Sequence, residues 1–135
     1  MLRILLSLLL IGLVPAAASA QGKNRTTGAD AVLQQWDADH DGTLDLAEAK
    51  KAAAAKFDAL DRDHDGTLDR QELRGVLSAK AIREVDADKD KTIDKNEYNA
   101  LVEKRFKAAD KDGDGTLDKK ELNSSAGRAQ LRLLL

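Results

Sequence analysis

Four polar segments along this chain each hold a large apolar residue at the same place, and the stretches between them have helical character. These residues are Leu44, Leu68, Ile93 and Leu117. A second apolar position, occupied by Leu33, Phe57, Ile82 and Phe106, falls four residues ahead of the first Asp of each segment. A third, Leu73, Tyr98 and Leu122, comes directly after the closing Glu of the last three segments. These residues read as a shared core rather than as the lining of a ligand cleft. The joining stretches Leu46–Leu60 and Lys95–Ala109 are rich in Ala, Lys, Leu and Glu, and both are predicted to be helices. The pattern implies an all-α fold.

The polar segments are repeats of one another. They are Asp37–Glu48 (DADHDGTLDLAE), Asp61–Glu72 (DRDHDGTLDRQE), Asp86–Glu97 (DADKDKTIDKNE) and Asp110–Glu121 (DKDGDGTLDKKE). Their starts are 24, 25 and 24 residues apart. Each has Asp at positions 1, 3, 5 and 9, Thr at 7 and Glu at 12. Alternating carboxylates in a tight loop let several oxygens converge on one hard cation, which takes six to eight oxygens at roughly 2.3–2.6 Å if it is calcium. The candidate ligands are Asp37, Asp39, Asp41, Thr43, Asp45 and Glu48 in loop 1, and Asp61, Asp63, Asp65, Thr67, Asp69 and Glu72 in loop 2. In loops 3 and 4 they are Asp86, Asp88, Asp90, Thr92, Asp94 and Glu97, and Asp110, Asp112, Asp114, Thr116, Asp118 and Glu121. Solvation alone gives no reason for 20 of the 24 acids to fall at these positions; Asp30, Asp58, Glu84 and Glu103 are the exceptions.

These segments resemble the EF-hand loop. The resemblance implies helix-loop-helix repeats with short β pairing between loops, and Ca²⁺ as the ligand. It also implies that the Thr at position 7 contributes its carbonyl, that the Asp at position 9 acts through water, and that the Glu at position 12 gives two oxygens. The form of the chain is similar to small exported bacterial EF-hand proteins.

The spacing departs from the calmodulin pattern, in which each loop owns two helices. A single 15-residue helix between loops 1 and 2 would be about 22 Å long and would hold them apart. A break inside it would let them pair. Gly75 and Ser78 offer a break and a cap in the middle connection. That reading divides the protein into two halves, loops 1 and 2 against loops 3 and 4.

The first 20 residues read as a signal peptide. Arg3 precedes the apolar run Ile4–Val14, Pro15 ends it, and Ala18-Ser19-Ala20 forms a cleavage site. The run is short for a membrane span, so no transmembrane segment is expected after cleavage. Residues 21–29 read as a flexible lead-in, 30–126 as the four-loop domain, and 127–135 as an apolar tail. The tail is expected to pack on the core, the alternative being an exposed docking element. The protein is expected to be exported, either periplasmic or secreted.

Composition narrows the chemistry. Aromatic residues make up 3% of the chain, and there is no Cys, so bound metal is the staple left to a thin core. No nucleophile and base are set together, so no enzymatic activity is expected; no nucleic-acid partner is expected either. His40 and His64, at position 4 of loops 1 and 2, are expected to be exposed and not to ligate. Trp36 is expected in the core or at a hinge. Lys91 replaces the Gly found at position 6 of the other loops, which makes loop 3 the weakest site.

Met1 is the one methionine and leaves with the signal peptide, which favours a calcium buffer or a calcium-stabilised module over a Met-rich sensor groove. Cleavage leaves 21 basic residues against 24 acids, a formal charge of −3, which four Ca²⁺ would shift to +5. The alternative role is therefore a sensor that docks on an anionic envelope surface or an acidic protein partner when loaded.

Overall fold

The computed structural model describes residues 26–135. The signal segment 1–20 and residues 21–25 of the lead-in lie outside the described residues. The first helix, α1 (Gly28–Trp36), begins two residues before the boundary drawn at residue 30. Its start is fixed by a capping box: Thr27 Oγ1 accepts from the Asp30 amide, and Asp30 Oδ2 accepts from the Thr27 amide at 3.0 Å. The Thr27 amide, then its hydroxyl, then Lys119 hold the Asp30 carboxyl down at about 2. A depressed folded value means that this cap contributes fully above the ordinary carboxylate value near 3.8 and is lost as pH falls towards 2. Asp30→Asn is expected to flatten that part of the acid unfolding curve, as followed by circular dichroism.

The strand β1 (Leu44–Asp45) leads directly into α2 (Leu46–Leu60), and β2 (Thr67–Leu68) follows it. After a series of turns, α3 (Ala79–Val85) begins at the Ser78 cap, whose Oγ accepts from the Ala81 amide. Then come β3 (Ile93–Asp94), α4 (Lys95–Ala109), β4 (Thr116–Leu117), α5 (Lys119–Leu122) and α6 (Ser125–Leu131). Both long helices have the bounds expected from the sequence, and neither is broken.

Loop pairing corrects the expected division into halves. β1 pairs with β4, antiparallel, with Leu44 opposite Leu117, and β2 pairs with β3, with Leu68 opposite Ile93. Loop 1 is therefore the partner of loop 4, and loop 2 of loop 3. The reason is the length of the shared helices. Unbroken, each sets its two loops at opposite ends, so α2 and α4 lie antiparallel and each end of the molecule gathers one loop from each helix. The break at Gly75 brings loops 2 and 3 together instead of separating halves.

The core lies between α2 and α4. Ala49, Ala52 and Ala53 are fully buried on α2, and their small size lets the helices approach closely. Phe57 meets Tyr98 edge-to-face at 5.6 Å between ring centroids. All four position-8 residues have no exposed surface, and every flanking apolar residue named above is buried.

The C-terminal residues close over this core as expected. Leu131, Leu133 and Leu134 are buried, Tyr98 Oη donates to the Leu133 carbonyl at 2.9 Å, and Arg105 donates to the Ala129 carbonyl at 2.8 Å. Gln130 is fully buried, and neither atom of its amide finds a partner among the described residues. Unpaired buried polar atoms cost about 1–3 kcal/mol. Gln130→Met is therefore expected to raise stability by about 1 kcal/mol in urea titration.

Candidate metal centre

Each loop is held open by hydrogen bonds that aim its carboxylates inward. The position-1 Asp accepts from the position-6 amide: Gly42 to Asp37 at 3.0 Å, Gly66 to Asp61 at 3.1 Å, Lys91 to Asp86 at 3.0 Å and Gly115 to Asp110 at 3.1 Å. The position-5 Asp accepts from both the amide and the hydroxyl of the position-7 Thr, as Asp41 does from Thr43 at 2.8 and 2.7 Å. Asp65, Asp90 and Asp114 repeat this with Thr67, Thr92 and Thr116. The Thr92 hydroxyl, then its amide, hold the Asp90 carboxyl below the usual carboxylate range.

The closing Glu spans each loop. Glu48 Oε1 accepts from the Ala38 amide at 2.7 Å and Oε2 from the Asp45 amide at 3.0 Å. Glu72, Glu97 and Glu121 make the same two bonds with their own loops. The position-9 Asp returns the bond: Asp45 accepts from the Glu48 amide at 2.7 Å, which makes it the N-cap of α2. Asp94 and Asp118 cap α4 and α5 in the same way, and Asp69 accepts from the Glu72 amide. Ligand loop and helix start are thus a single hydrogen-bonded unit.

The result is four carboxylate clusters: Asp37, Asp39 and Glu48; Asp61, Asp63 and Glu72; Asp86, Asp88 and Glu97; Asp110, Asp112 and Glu121. In each, one oxygen from every member lies within 4.8 Å of the others. The structure thus brings together positions 1, 3 and 12. It sets the carboxylates of position 5 on Thr and those of position 9 on the amide of the closing Glu.

The donors fit a hard cation. They are all oxygen, and Asp61 Oδ1 and Asp86 Oδ1 are buried without a hydrogen-bond partner among the described residues. The electrostatics agree. The Asp114 amide draws the Asp112 carboxyl down, but burial and the charges of Asp114, Glu121 and Asp110 outweigh it and push it up. In loop 1, burial raises Asp37, yet the amides of Gly42, His40 and Asp41 and the side chain of Asp39 leave it below its ordinary value.

Two family models match this chain. One, described as EF hand, matches residues 29–51 and 101–124; the other, described as EF-hand domain, matches residues 53–81. Together they cover more than half of the chain. The chain belongs to the EF-hand family. No curated protein matches it. The matched stretches contain loops 1, 2 and 4, and the acidic clusters and the family together support calcium binding by this EF-hand protein. No described helix is long and apolar enough to cross a membrane.

His40 and His64 are exposed and stand outside the clusters. They have a different distinction. Position 4 adopts positive φ in every loop, at 60° for His40, 59° for His64, 61° for Lys89 and 73° for Gly113. Position 6, with Gly in three loops, is the left-handed turn that the sequence displays, and Gly113 in loop 4 is the one sequence signal of the second. The position-9 capping role was also legible, as Asp-x-x-Glu ahead of a helix.

Loop 3 carries Lys at both turn positions, and Lys91 has φ 76°. The left-handed region costs a non-Gly residue about 1–2 kcal/mol. Lys91→Gly is expected to stabilise loop 3 by about 1 kcal/mol and to raise its calcium affinity severalfold. Calorimetric titration checks this. A greater loss of affinity from Glu97→Gln than from Glu48→Gln would contradict the ranking of loop 3 as weakest.

Proposed function

We propose that this EF-hand protein is exported and uses its four loops as a calcium buffer or as calcium-dependent staples for its own fold. The observation that carries this reading is the convergence of three carboxylates in each of four loops. Asp37, Asp61, Asp86 and Asp110 would hold the ion with Asp39, Asp63, Asp88 and Asp112 and the closing Glu residues. Asp41, Asp65, Asp90 and Asp114 at position 5, the position-7 carbonyls and the position-9 waters complete the set that the family resemblance implies. Export rests on the N-terminal charge, apolar run and small-residue cleavage site.

A buffer or staple is favoured over a groove-opening sensor by the lack of Met beyond Met1 and by the closed core. Leu135, at 43%, is the one exposed large hydrophobic among the described residues. Calcium neutralises clustered carboxylates that otherwise repel one another, so loading should be linked to folding. Calorimetric calcium titration with parallel circular dichroism tests this. Uptake approaching four ions with a gain in helix or melting temperature is expected. No heat and an unchanged spectrum at millimolar calcium would overturn it.

One observation favours the second reading, a loaded form that docks on an acidic partner. Each acid outside the loops is already paired with a lysine: Asp30 with Lys119, Asp58 with Lys95, Glu84 with Lys80 and Glu103 with Lys50. Once the loops are filled, the remaining basic side chains have no acid in the described protein to answer them.

A further inference from the structure

The unanswered basic residues are not spread evenly. Beside loops 2 and 3, the turns after β2 leave a hollow of about 670 Å³. Arg70, Arg74 and Lys91 line it together with the apolar side chains of Leu77 and Ile82. A second hollow, of about 400 Å³, adjoins it and is lined by Arg62, Gln71 and Arg74. Arg74 and Gln71 line both, and Arg62, Arg70, Arg74 and Lys91 together make the lining of the two hollows a cationic track. None of Arg62, Arg70, Arg74 and Lys91 makes an ion pair among the described residues. The one acid lining the track is Asp69, and its Oδ1 is already engaged by the amides of Gln71 and Glu72.

Lys91, which at φ 76° holds a left-handed conformation that Gly takes in the other three loops, adds a third cation to the lining of the hollow, with Arg70 and Arg74.

We infer that the track is a docking surface for an extended acidic peptide segment of a partner protein, open to it when loops 2 and 3 hold calcium. This rests on the calcium-binding reading above. Arg presents a planar fork that pairs bidentately with carboxylates. The two hollows that share Arg74 suit successive acidic side chains. A flat lipid surface would meet protruding charges rather than cationic hollows.

The calcium dependence follows from charge. Loops 2 and 3 carry ten carboxylates beside the track, which repel an acidic chain until cations neutralise them. By linkage, the peptide must raise the calcium affinity of those loops by the same factor that calcium raises its own.

Fluorescence anisotropy of a labelled hexaglutamate peptide with the purified protein tests the inference, with calcium uptake of every variant measured by calorimetry. Saturating calcium is expected to tighten peptide binding about tenfold or more relative to EDTA. Arg70→Gln with Arg74→Gln should abolish that gain and leave calcium stoichiometry unchanged. Arg128→Gln with Arg132→Gln, exposed on and beside α6, should keep it. Lys91→Gly is the sharpest variant, because calcium affinity should rise while peptide affinity falls, two directions that general destabilisation would not separate.

Normal calcium uptake with equal peptide binding in calcium and EDTA would overturn the inference and leave the calcium reading intact. So would equal losses from the two arginine pairs, or binding to phosphatidylserine vesicles in place of the peptide. Absent calcium uptake would sink the calcium reading and the linkage with it, and the arginine variants in EDTA would still report on the track.

Discussion

Glu48→Gln is expected to weaken calcium binding at loop 4 as well as at loop 1, and to leave loops 2 and 3 close to the unmodified protein. Glu48 bridges its own loop through the Ala38 and Asp45 amides, and Asp45 is paired in register with Thr116 of loop 4. Gln removes the charge and one ligand oxygen. Even an outer partner of a metal ligand is worth 10–100-fold in affinity, so loss at loop 1 itself should reach at least about 100-fold. Directly contacting groups couple by about 0.5–3 kcal/mol, which puts the loss at loop 4 near tenfold. Loop-resolved NMR titration, following the amides of Gly42, Gly66, Lys91 and Gly115, separates the four. A loss at loop 2 with loop 4 untouched would mean that neighbours along the chain are the functional pairs.

Gly127→Ala should be among the most damaging single changes outside the loops. A Cβ at this position would stand 2.0 Å from the Glu121 carbonyl oxygen and 2.5 Å from Leu122 Cα. Both obstacles are backbone, so no side chain can turn aside. α6 must lift from α5, taking Leu131, Leu133 and the Tyr98 hydrogen bond with it, and Glu121 is itself a clamp of loop 4. Overpacking of this kind costs about 3 kcal/mol or more, a fall in melting temperature of roughly 10 °C or more. Gly75→Ala is the contrast. Its φ is +85°, but nothing lies within 4 Å of the added methyl, so strain of about 1 kcal/mol is the whole effect. Thermal unfolding in calcium and in EDTA compares the two, and a Gly127→Ala protein as stable as Gly75→Ala would contradict the close approach of α5 and α6.

What sequence made legible was whatever each repeat encodes within itself. The carboxylate spacing, the bounds of α2 and α4, and the burial of Leu44, Leu68, Ile93 and Leu117 follow from local pattern. Partner choice does not, because the four loops offer nearly the same two-residue strand and any two could pair. The decision lies in the connections. Leu46–Leu60 and Lys95–Ala109 contain no Gly or Pro and run straight, while Gly75 allows the middle connection to fold back. By sequence the break at Gly75 reads as a boundary, and in the fold it is a hinge between partners. The hollow beside Lys91 was also out of reach, since it arises from turns and a loop that only the fold brings together.

The shared helices have one more consequence. Loop 1 is tied to loop 2 by α2, loop 2 to loop 3 by strand pairing, loop 3 to loop 4 by α4, and loop 4 back to loop 1 by strand pairing. The four sites therefore form a closed ring in which covalent and hydrogen-bonded links alternate. No site is terminal, and each has one neighbour of either kind. Gly28, at the start of α1, lies against Leu131 and Leu135, so the described chain also meets itself where the ring closes. A ring of this kind does not split into two working halves. A piece that carried loops 1 and 2 alone would be a rod with an unpaired site at each end.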